Sequence, residues 1–189
     1  GAVSIVERQV LALREKSQLL EAKLAELVRF GSENDQVSTR VHELACKLMQ
    51  APNLDAVLDT LYLELLDNFT VPHVAVRLWG VGEVKETREH LPVAAEIRDF
   101  VVAMAEPYCG HHAVYETAAW FGDAAPHLRS FALLPLRTQQ VFGAVLMASE
   151  DAERFYPEMG TLYLTRIADL ASHALSRYLT LVRVIPEDA

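Results

Sequence analysis

The side chains with the most chemical potential lie in one short run, Cys109-Gly110-His111-His112. A thiolate and two imidazoles are ligands that zinc accepts in tetrahedral geometry. Three neighbours in so short a run rarely point at one centre, and a fourth ligand would have to come from His90 or His127. We therefore expect one small buried cysteine beside exposed histidines, with no metal site and no cofactor.

A redox role for Cys109 is the second chemical possibility, because a thiolate is a nucleophile. Such chemistry uses a resolving cysteine, and the other cysteine, Cys46, lies on a predicted helix in the N-terminal part. We expect Cys109 to be buried and inert and the protein to be non-enzymatic, with no catalytic residues. A thiol-based redox enzyme centred on Cys109 is the alternative.

The segment from Tyr108 to Arg129 is irregular in pattern and rich in aromatic residues, which is typical of functional segments. Apolar walls with a few convergent polar groups describe a small-molecule pocket. Arg77, on a predicted strand, is the best anion-binding candidate, with an ion pair to a neighbouring carboxylate as its alternative. For the aromatic rings, the alternative is a second small core beneath a long loop. The predicted ligand-binding residues are Arg77, Tyr108, Cys109, Tyr115, Trp120, Phe121, Ser130 and Arg137.

A polar run, Ser149-Glu150-Asp151 with Arg154, precedes the last predicted helix. A catalytic acid pair needs a cleft and separated pKa values, and the sequence shows neither. An acidic group near a helix start is favoured by the helix dipole. We interpret this run as a structural turn.

Length and composition indicate one globular domain with an appendage, since the chain has 189 residues, 51% apolar and 23% charged. A net charge of -9 argues against non-specific nucleic-acid binding and against an electrostatic membrane anchor. No apolar run is long enough to span a bilayer. Two cysteines are too few for a disulfide framework, so we expect a cytoplasmic protein.

Residues 3–30 predict a long helix with apolar side chains at alternating steps of three and four. A lone helix is marginal in water, so this stripe should find a partner. With Val10 at heptad position a, Lys16 and Glu21 would attract across a parallel two-stranded coiled coil. An antiparallel pair joining Arg14 to Glu21, or a helix folded back onto its own domain, is the alternative. The seam consists of Val3, Val6, Val10, Leu13, Ser17, Leu20, Leu24 and Leu27.

The rest of the chain predicts helices and antiparallel strands that segregate, which favours an α+β fold with a central antiparallel sheet. Turn-forming residues at 31–35 are expected to separate an N-terminal dimerisation helix (1–31) from the domain (32–183), which a tail (184–189) follows. The terminal helices should cover one face of the sheet, and the middle helix and the irregular segment the other. The predicted elements are helices 35–50 and 54–68, strand 73–79, helix 92–106, strands 131–138 and 141–149, and helix 157–183.

Four stretches of this sequence resemble a known family. They are Pro107–Gly110, Trp120–Gly122, Ser130 with Ala132–Leu136, and the run from Ser149 through Asp151, Arg154-Phe155, Pro157 and Met159–Thr161 to Leu164. The chain is similar there to the GAF domain, a ligand-sensing relative of the PAS fold, and closer still to the bacterial family called domain of unknown function 484. The resemblance implies a GAF-like fold and a cytoplasmic bacterial protein, and it implies no chemistry. The Asn-Lys-x-Asp-Phe-Glu-type signature of cyclic-nucleotide GAF domains is not apparent.

These observations together predict a non-enzymatic, GAF-like sensory or regulatory module that binds a small molecule or a protein partner. It is expected to form a homodimer through its N-terminal and C-terminal helices, without nucleic-acid or membrane partners. A ligand-free interaction scaffold is the alternative. The predicted dimer interface is Val6, Val10, Leu13, Leu20, Leu24 and Leu27.

Overall fold

The computed structural model describes residues 4–82 and 86–182. The chain divides into two compact units, Gly1–Thr39 and Arg40–Ala189. Val3 of the predicted seam and the predicted tail at 184–189 lie outside the described residues. The predicted domain boundaries stay a prediction.

The first helix, α1, runs from Ile5 to Gln50, so the predicted interruption at residues 31–35 is wrong. A single Gly31 costs an exposed helix interior only about 1 kcal/mol, and no proline follows it. Local bonds also support the helical turns on either side. Arg29 pairs with Glu33 at 3.9 Å, and the Thr39 hydroxyl donates to the Asp35 carbonyl oxygen at 2.9 Å. The favourable residues around this stretch therefore outweigh its turn formers.

The second unit contains the remaining elements of the described chain. Asn53 begins helix α2, since its side chain accepts a hydrogen bond from the backbone N–H of Ala56 at 2.8 Å, as predicted for an N-cap. The elements are α2 (Leu54–Asp67), β1 (His73–Leu78), a 3-10 turn (Arg88–His90), α3 (Ala95–Ala103), β2 (Tyr108–Gly110), a 3-10 segment (Thr117–His127), β3 (Ser130–Arg137), β4 (Val141–Ser149) and α4 (Leu162–Ser176).

The four described strands form one antiparallel sheet in the order β1-β4-β3-β2. Strands β3 and β4 form the predicted hairpin, with Leu134 opposite Val145. The α+β fold with a central antiparallel sheet is therefore confirmed. Short strand β2 was missed, because three residues that include a glycine carry little periodicity.

The two faces of the sheet are covered by different elements, as predicted. On the first face, Ile97, Val101 and Met104 at α3 pack with Leu133 of β3 and Leu146 of β4. On the second face, alternate residues of the same strands are buried, and α2 and α4 pack on β1 and β3. Val76, Leu134 and Val145 are buried there. We call these the α3 face and the α4 face.

Two predicted helices are shorter than expected. Helix α3 begins at Ala95 instead of residue 92, because Ala94 has an extended ψ of 147°. Helix α4 begins at Leu162 instead of residue 157, because local turns occupy the stretch before it, with the Met159 N–H donating to the Tyr156 carbonyl oxygen. It ends at Ser176, and Leu181 then forms an antiparallel bridge with Val81.

Within residues 4–82 and 86–182, no helix is both long enough and apolar enough to cross a membrane. Helix α1 is long, but charged side chains interrupt its apolar positions throughout.

Candidate functional site

Arg77 lies buried on the α3 face, where the alternation of β1 places it opposite Ala144. Its guanidinium lies 5.0 Å from the centre of the Trp120 ring, and its Nη1 donates to the Val76 carbonyl oxygen at 2.9 Å. Burial lowers the pKa of Arg77, while nearby Tyr62 and Glu89 raise it. The sequence placed Arg77 and Trp120 in one site, and the structure brings them together as a cation–π pair.

A polar network covers the outer edge of β1. The Tyr62 hydroxyl accepts a hydrogen bond from the Val76 N–H at 3.3 Å and donates to the Glu89 carboxylate at 2.9 Å. Arg88 pairs with Glu89 at 2.8 Å and lies over the Tyr62 ring at 4.1 Å. Burial and the Glu89 charge raise the pKa of Tyr62 to about 12. The network thus satisfies an edge N–H that would otherwise be open to another strand.

The Glu89 carboxylate is the acidic centre of this network. Burial pushes its pKa upward, but hydrogen bonds from Arg88, Tyr62 and Thr87 outweigh burial and lower the pKa below its usual value. The Glu89 carboxylate is therefore ionised at neutral pH. It lies close enough to Arg77 for its charge to raise the Arg77 pKa. Glu89 was not identified from the sequence, and its ion pair is with Arg88 and not with Arg77.

Tyr115 and Trp120 line an open cavity of about 550 Å³ beside α3, which we call the aromatic cavity. Tyr115 is 60% exposed and has a left-handed φ of 50°, which is uncommon for a side chain of its size. Its ring meets Phe100 edge to face at 6.0 Å. The remaining lining residues are Pro92, Ala94, Glu96, Ile97, Glu116 and Ala119.

Tyr108 and Phe121, also predicted ligand-binding residues, pack against the core of the α3 face. The Tyr108 hydroxyl donates to the His112 carbonyl oxygen at 2.9 Å, and Phe121 meets the His73 ring at 5.9 Å. A Cβ on Gly110 would collide with the Tyr108 hydroxyl, so a larger residue there would displace the Tyr108 ring. These two rings fill the second small core that was the alternative for the aromatic residues.

Cys109 lies on the opposite side of the sheet from Trp120. It is paired with Ala132, whereas its neighbour Tyr108 is paired with Leu133 of the α3 face. The thiol is free and buried, and burial raises its pKa to about 11. Cys109 therefore joins neither the aromatic cavity nor a low-pKa thiol environment. His111 and His112 are exposed, and the described residues contain no group of metal-holding side chains.

Cys109 should react slowly with iodoacetamide at neutral pH. A pKa of about 11, against an ordinary value of 9.0, leaves about a hundredfold less thiolate at pH 7, before burial slows access further. Peptide mass mapping of the folded chain should show Cys46 modified first. The Cys109 rate should rise about tenfold per pH unit, and unfolding in urea should remove the difference. Modification of both cysteines at equal rates in the folded state would support the thiol-enzyme alternative.

Ser130 is fully buried at the start of β3 and serves the turn before α4. Its hydroxyl donates to the Asp151 carbonyl oxygen at 2.6 Å. Asp151 in turn accepts from the Glu153 N–H, and the Arg154 guanidinium donates to the Phe69 carbonyl oxygen. The bonds of this turn are those that a structural role requires, as the sequence predicted for Asp151 and Arg154. Ser130 itself is not placed with the other predicted ligand-binding residues.

Arg137 lies at the opposite end of β3 from Ser130, seven residues and about 23 Å away. It lines a second open cavity, of about 530 Å³, which also includes Trp79, Arg98 and Gln140. We call this the turn cavity because residues 138–140, which connect β3 to β4, line it. Trp79 and Arg98 were not among the predicted ligand-binding residues, because no sequence pattern links them to Arg137. The predicted ligand-binding residues thus lie in four places: the aromatic cavity, the turn cavity, the core of the α3 face and the opposite face of the sheet.

Comparison with known proteins gives a family for this chain and solved structures with a similar fold. The family model described as "Protein of unknown function, DUF484" matches residues 1–180, and no curated protein matches the chain. The GAF domain from a phosphoenolpyruvate-protein phosphotransferase (ptsP) of Coxiella burnetii is similar at a TM-score of 0.60 and 12% identity, over 75% of this chain and 94% of that chain. The native GAF domain of the potassium sensor histidine kinase KdpD of Escherichia coli is similar at a TM-score of 0.48 and 15% identity, over 74% of this chain and 93% of that chain. The predicted GAF-like fold is confirmed by the first likeness.

Proposed function

The chain belongs to the family described as "Protein of unknown function, DUF484", and on that premise we propose that it is a dimeric, non-enzymatic sensory or regulatory module. Its GAF-like fold supports a regulatory role, and its buried Cys109 gives no support to thiol chemistry. The module pairs with a second copy through α1 and binds a small molecule or a protein partner on the α3 face. Its free thiols fit a reducing cytoplasm.

The observation that carries this proposal is the uncovered apolar seam of α1. The exposed fractions of its apolar members range from 41% at Val10 to 66% at Leu27. A solvated helix gains little from such a stripe, whereas two copies would bury it in a shared core. The seam members with these exposures are Val6, Val10, Leu13, Leu20, Leu24 and Leu27.

Charge and polarity along the seam favour a parallel pair. Lys16 and Glu21 take heptad positions g and e, which attract between parallel helices. Ser17 takes an a position, where a polar residue favours one register. Helix α4 gives less support to the C-terminal half of the predicted interface, because three of its four exposed residues, Arg166, Asp169 and His173, are polar and only Leu162 is apolar.

A cysteine at position 17 tests both pairing and direction. In a parallel, in-register pair the two a-position residues face each other within the span of a disulfide. In a Cys46→Ser background, Ser17→Cys should oxidise to a covalent dimer, seen by mass spectrometry under non-reducing conditions. The neighbouring Gln18→Cys, at outer position b, should give at least about tenfold less. Dimers in sedimentation without a Ser17→Cys cross-link would contradict the parallel arrangement, and monomers would contradict self-association.

The aromatic cavity is our proposed site for a ligand. The Trp120 ring lines the cavity and is also the ring on which the buried Arg77 stacks. A planar ligand against Trp120 would therefore touch a ring that is already held by a buried cation. Such preorganisation lowers the entropy that binding costs.

A ligand-free interaction scaffold is the second candidate function. It is favoured by the filled core of the α3 face, where Leu133 and Leu146 pack with α3 and leave the aromatic cavity at the rim. In that case Tyr115, which is largely exposed, would contact a protein partner. A small molecule that stays bound to the folded chain through purification would exclude this candidate.

A further inference from the structure

We propose that the turn cavity binds small organic anions that carry an apolar body. The cavity holds about 530 Å³, within the range of small-molecule sites. The acid group would bind to Arg137 and Arg98, and the apolar body would lie against Trp79 and Val102. This site is separate from the aromatic cavity, so the inference goes beyond the function proposed above.

Arg137 supplies the first reason for an anion. Its guanidinium donates to the Met104 carbonyl oxygen, but its Nε is buried without a hydrogen-bond acceptor among the described residues. No ion pair of residues 4–82 and 86–182 includes Arg137 or Arg98. A half-buried cation such as Arg137 is costly without a counter-ion, whereas Arg98 is exposed. Because Nε itself is buried, a bound carboxylate would accept charge-assisted hydrogen bonds from the Nη groups of Arg137 and from Arg98.

The apolar wall supplies the second reason. Trp79 is half-buried where β1 ends, and Val102 of α3 remains 58% exposed beside it. Val141 of β4 completes this wall. An aromatic or aliphatic group of a ligand at this wall would bury apolar surface that is exposed to solvent in the free protein. Burial of this surface favours binding in proportion to its area.

Two other lining residues of the turn cavity, Gly80 and Gln140, are held by the segment after α4. The Gln140 side-chain amide donates to the Val182 carbonyl oxygen at 2.8 Å, and the Val182 N–H donates to the Gly80 carbonyl oxygen at 2.9 Å. Gly80 and Gln140 both line the cavity. The segment after α4 therefore holds two lining residues in place before any ligand arrives, and such preorganisation favours affinity.

Carboxylates also face these arginines. Asp99 lines the turn cavity, and Asp169 and His173 line the opposite side of the same turn together with Arg137. Asp99 and Arg98 are both exposed, and the lining of the turn cavity carries two guanidinium groups against this one carboxylate. An anion is therefore the favoured occupant, and preference for a cation is the outcome that opposes the proposal.

Fluorescence of Trp79 can report binding, because the chain has 2 tryptophans and Trp120→Phe leaves Trp79 alone. The probe is 4-phenylbutanoate, with 4-phenylbutan-1-ol and 4-phenylbutylamine as neutral and cationic analogues. The acid should give a saturable change in Trp79 emission, and the alcohol should bind at least about tenfold more weakly for lack of the charge-assisted bonds. Equal or tighter binding of the alcohol or the amine would overturn the proposal.

Variants of the two arginines complete the test. Arg98→Gln and Arg137→Gln should each weaken 4-phenylbutanoate binding about tenfold or more, while Arg129→Gln, a matched change at an exposed arginine outside the cavity, should not. Arg137 also supports Met104, so its variant is compared by thermal unfolding, and Arg98→Gln decides if the Arg137 variant does not fold. Unchanged affinity in Arg98→Gln and any folded Arg137 variant would overturn the proposal. The dimer test is independent of these results.

Discussion

Replacing Leu20 by lysine is expected to raise the dissociation constant of the dimer at least about a hundredfold. Leu20 takes a d position of the α1 seam, where it would face its own copy in a parallel pair. The change removes two leucines from the shared core, which alone costs several kcal/mol, and puts two like charges there. Every 1.4 kcal/mol lost corresponds to a tenfold weaker complex.

The neighbouring Leu19 provides a matched control for this experiment. Leu19 and Leu20 are 58% and 57% exposed, and the same substitution changes helix propensity and net charge equally at both positions. Leu19 lies at position c, off the seam, so Leu19→Lys should leave the dimer intact. Sedimentation velocity over a range of concentrations measures both. If the two variants behave alike, or if the unaltered chain is monomeric at all concentrations, pairing through this seam is contradicted.

Gly143→Ala is expected to destabilise the second unit by about 3 kcal/mol, at the upper end of overpacking effects. A Cβ at this position would lie 2.5 Å from the Arg77 carbonyl oxygen, 3.0 Å from Leu78 Cδ2 and 3.1 Å from Leu136 Cδ1. The first of these atoms is backbone in the paired strand β1, so the strain can be relieved only by moving β1 away from β4. Such a shift would also disturb Arg77 on Trp120.

Gly160→Ala is the control for this prediction. A Cβ there meets nothing within 4 Å, and the free energy of unfolding should stay within about 0.5 kcal/mol of the unaltered chain. Denaturant unfolding measures both variants, with a lower midpoint and an unchanged m value expected for Gly143→Ala. A Gly143 variant as stable as the Gly160 variant would show that β1 and β4 are not packed as closely as described.

The main elements of the sheet were predictable because their signals are local. Strands β1, β3 and β4 have alternating or continuous apolar residues between turn formers, and the structure confirms the face assignment of Val76 and Arg77 in β1. The helix ends were less accurate. Turn formers at 31–35 did not stop α1, since their penalties are small beside the propensity of their neighbours.

The ligand-binding residues were only partly predictable, because a pocket depends on strand register and on the end of the strand at which each residue lies. Arg77 and Trp120 meet as expected. Ser130 and Arg137 belong to one strand but lie at its two ends, and Cys109 points to the other face because β2 pairs it with Ala132. A shift of one residue in that pairing would have reversed its direction.

The sequence by itself determined the α+β class, the family resemblance and the heptad seam, since each depends on residue types at fixed spacings along the chain. The tertiary structure alone decided that Cys109 lies on the other face of the sheet from Trp120 and that Arg137 shares a cavity with Trp79 and Arg98. Those groupings join residues that lie far apart in sequence. They are fixed by the register of an antiparallel sheet and by the packing of α3 upon it, which no linear pattern encodes.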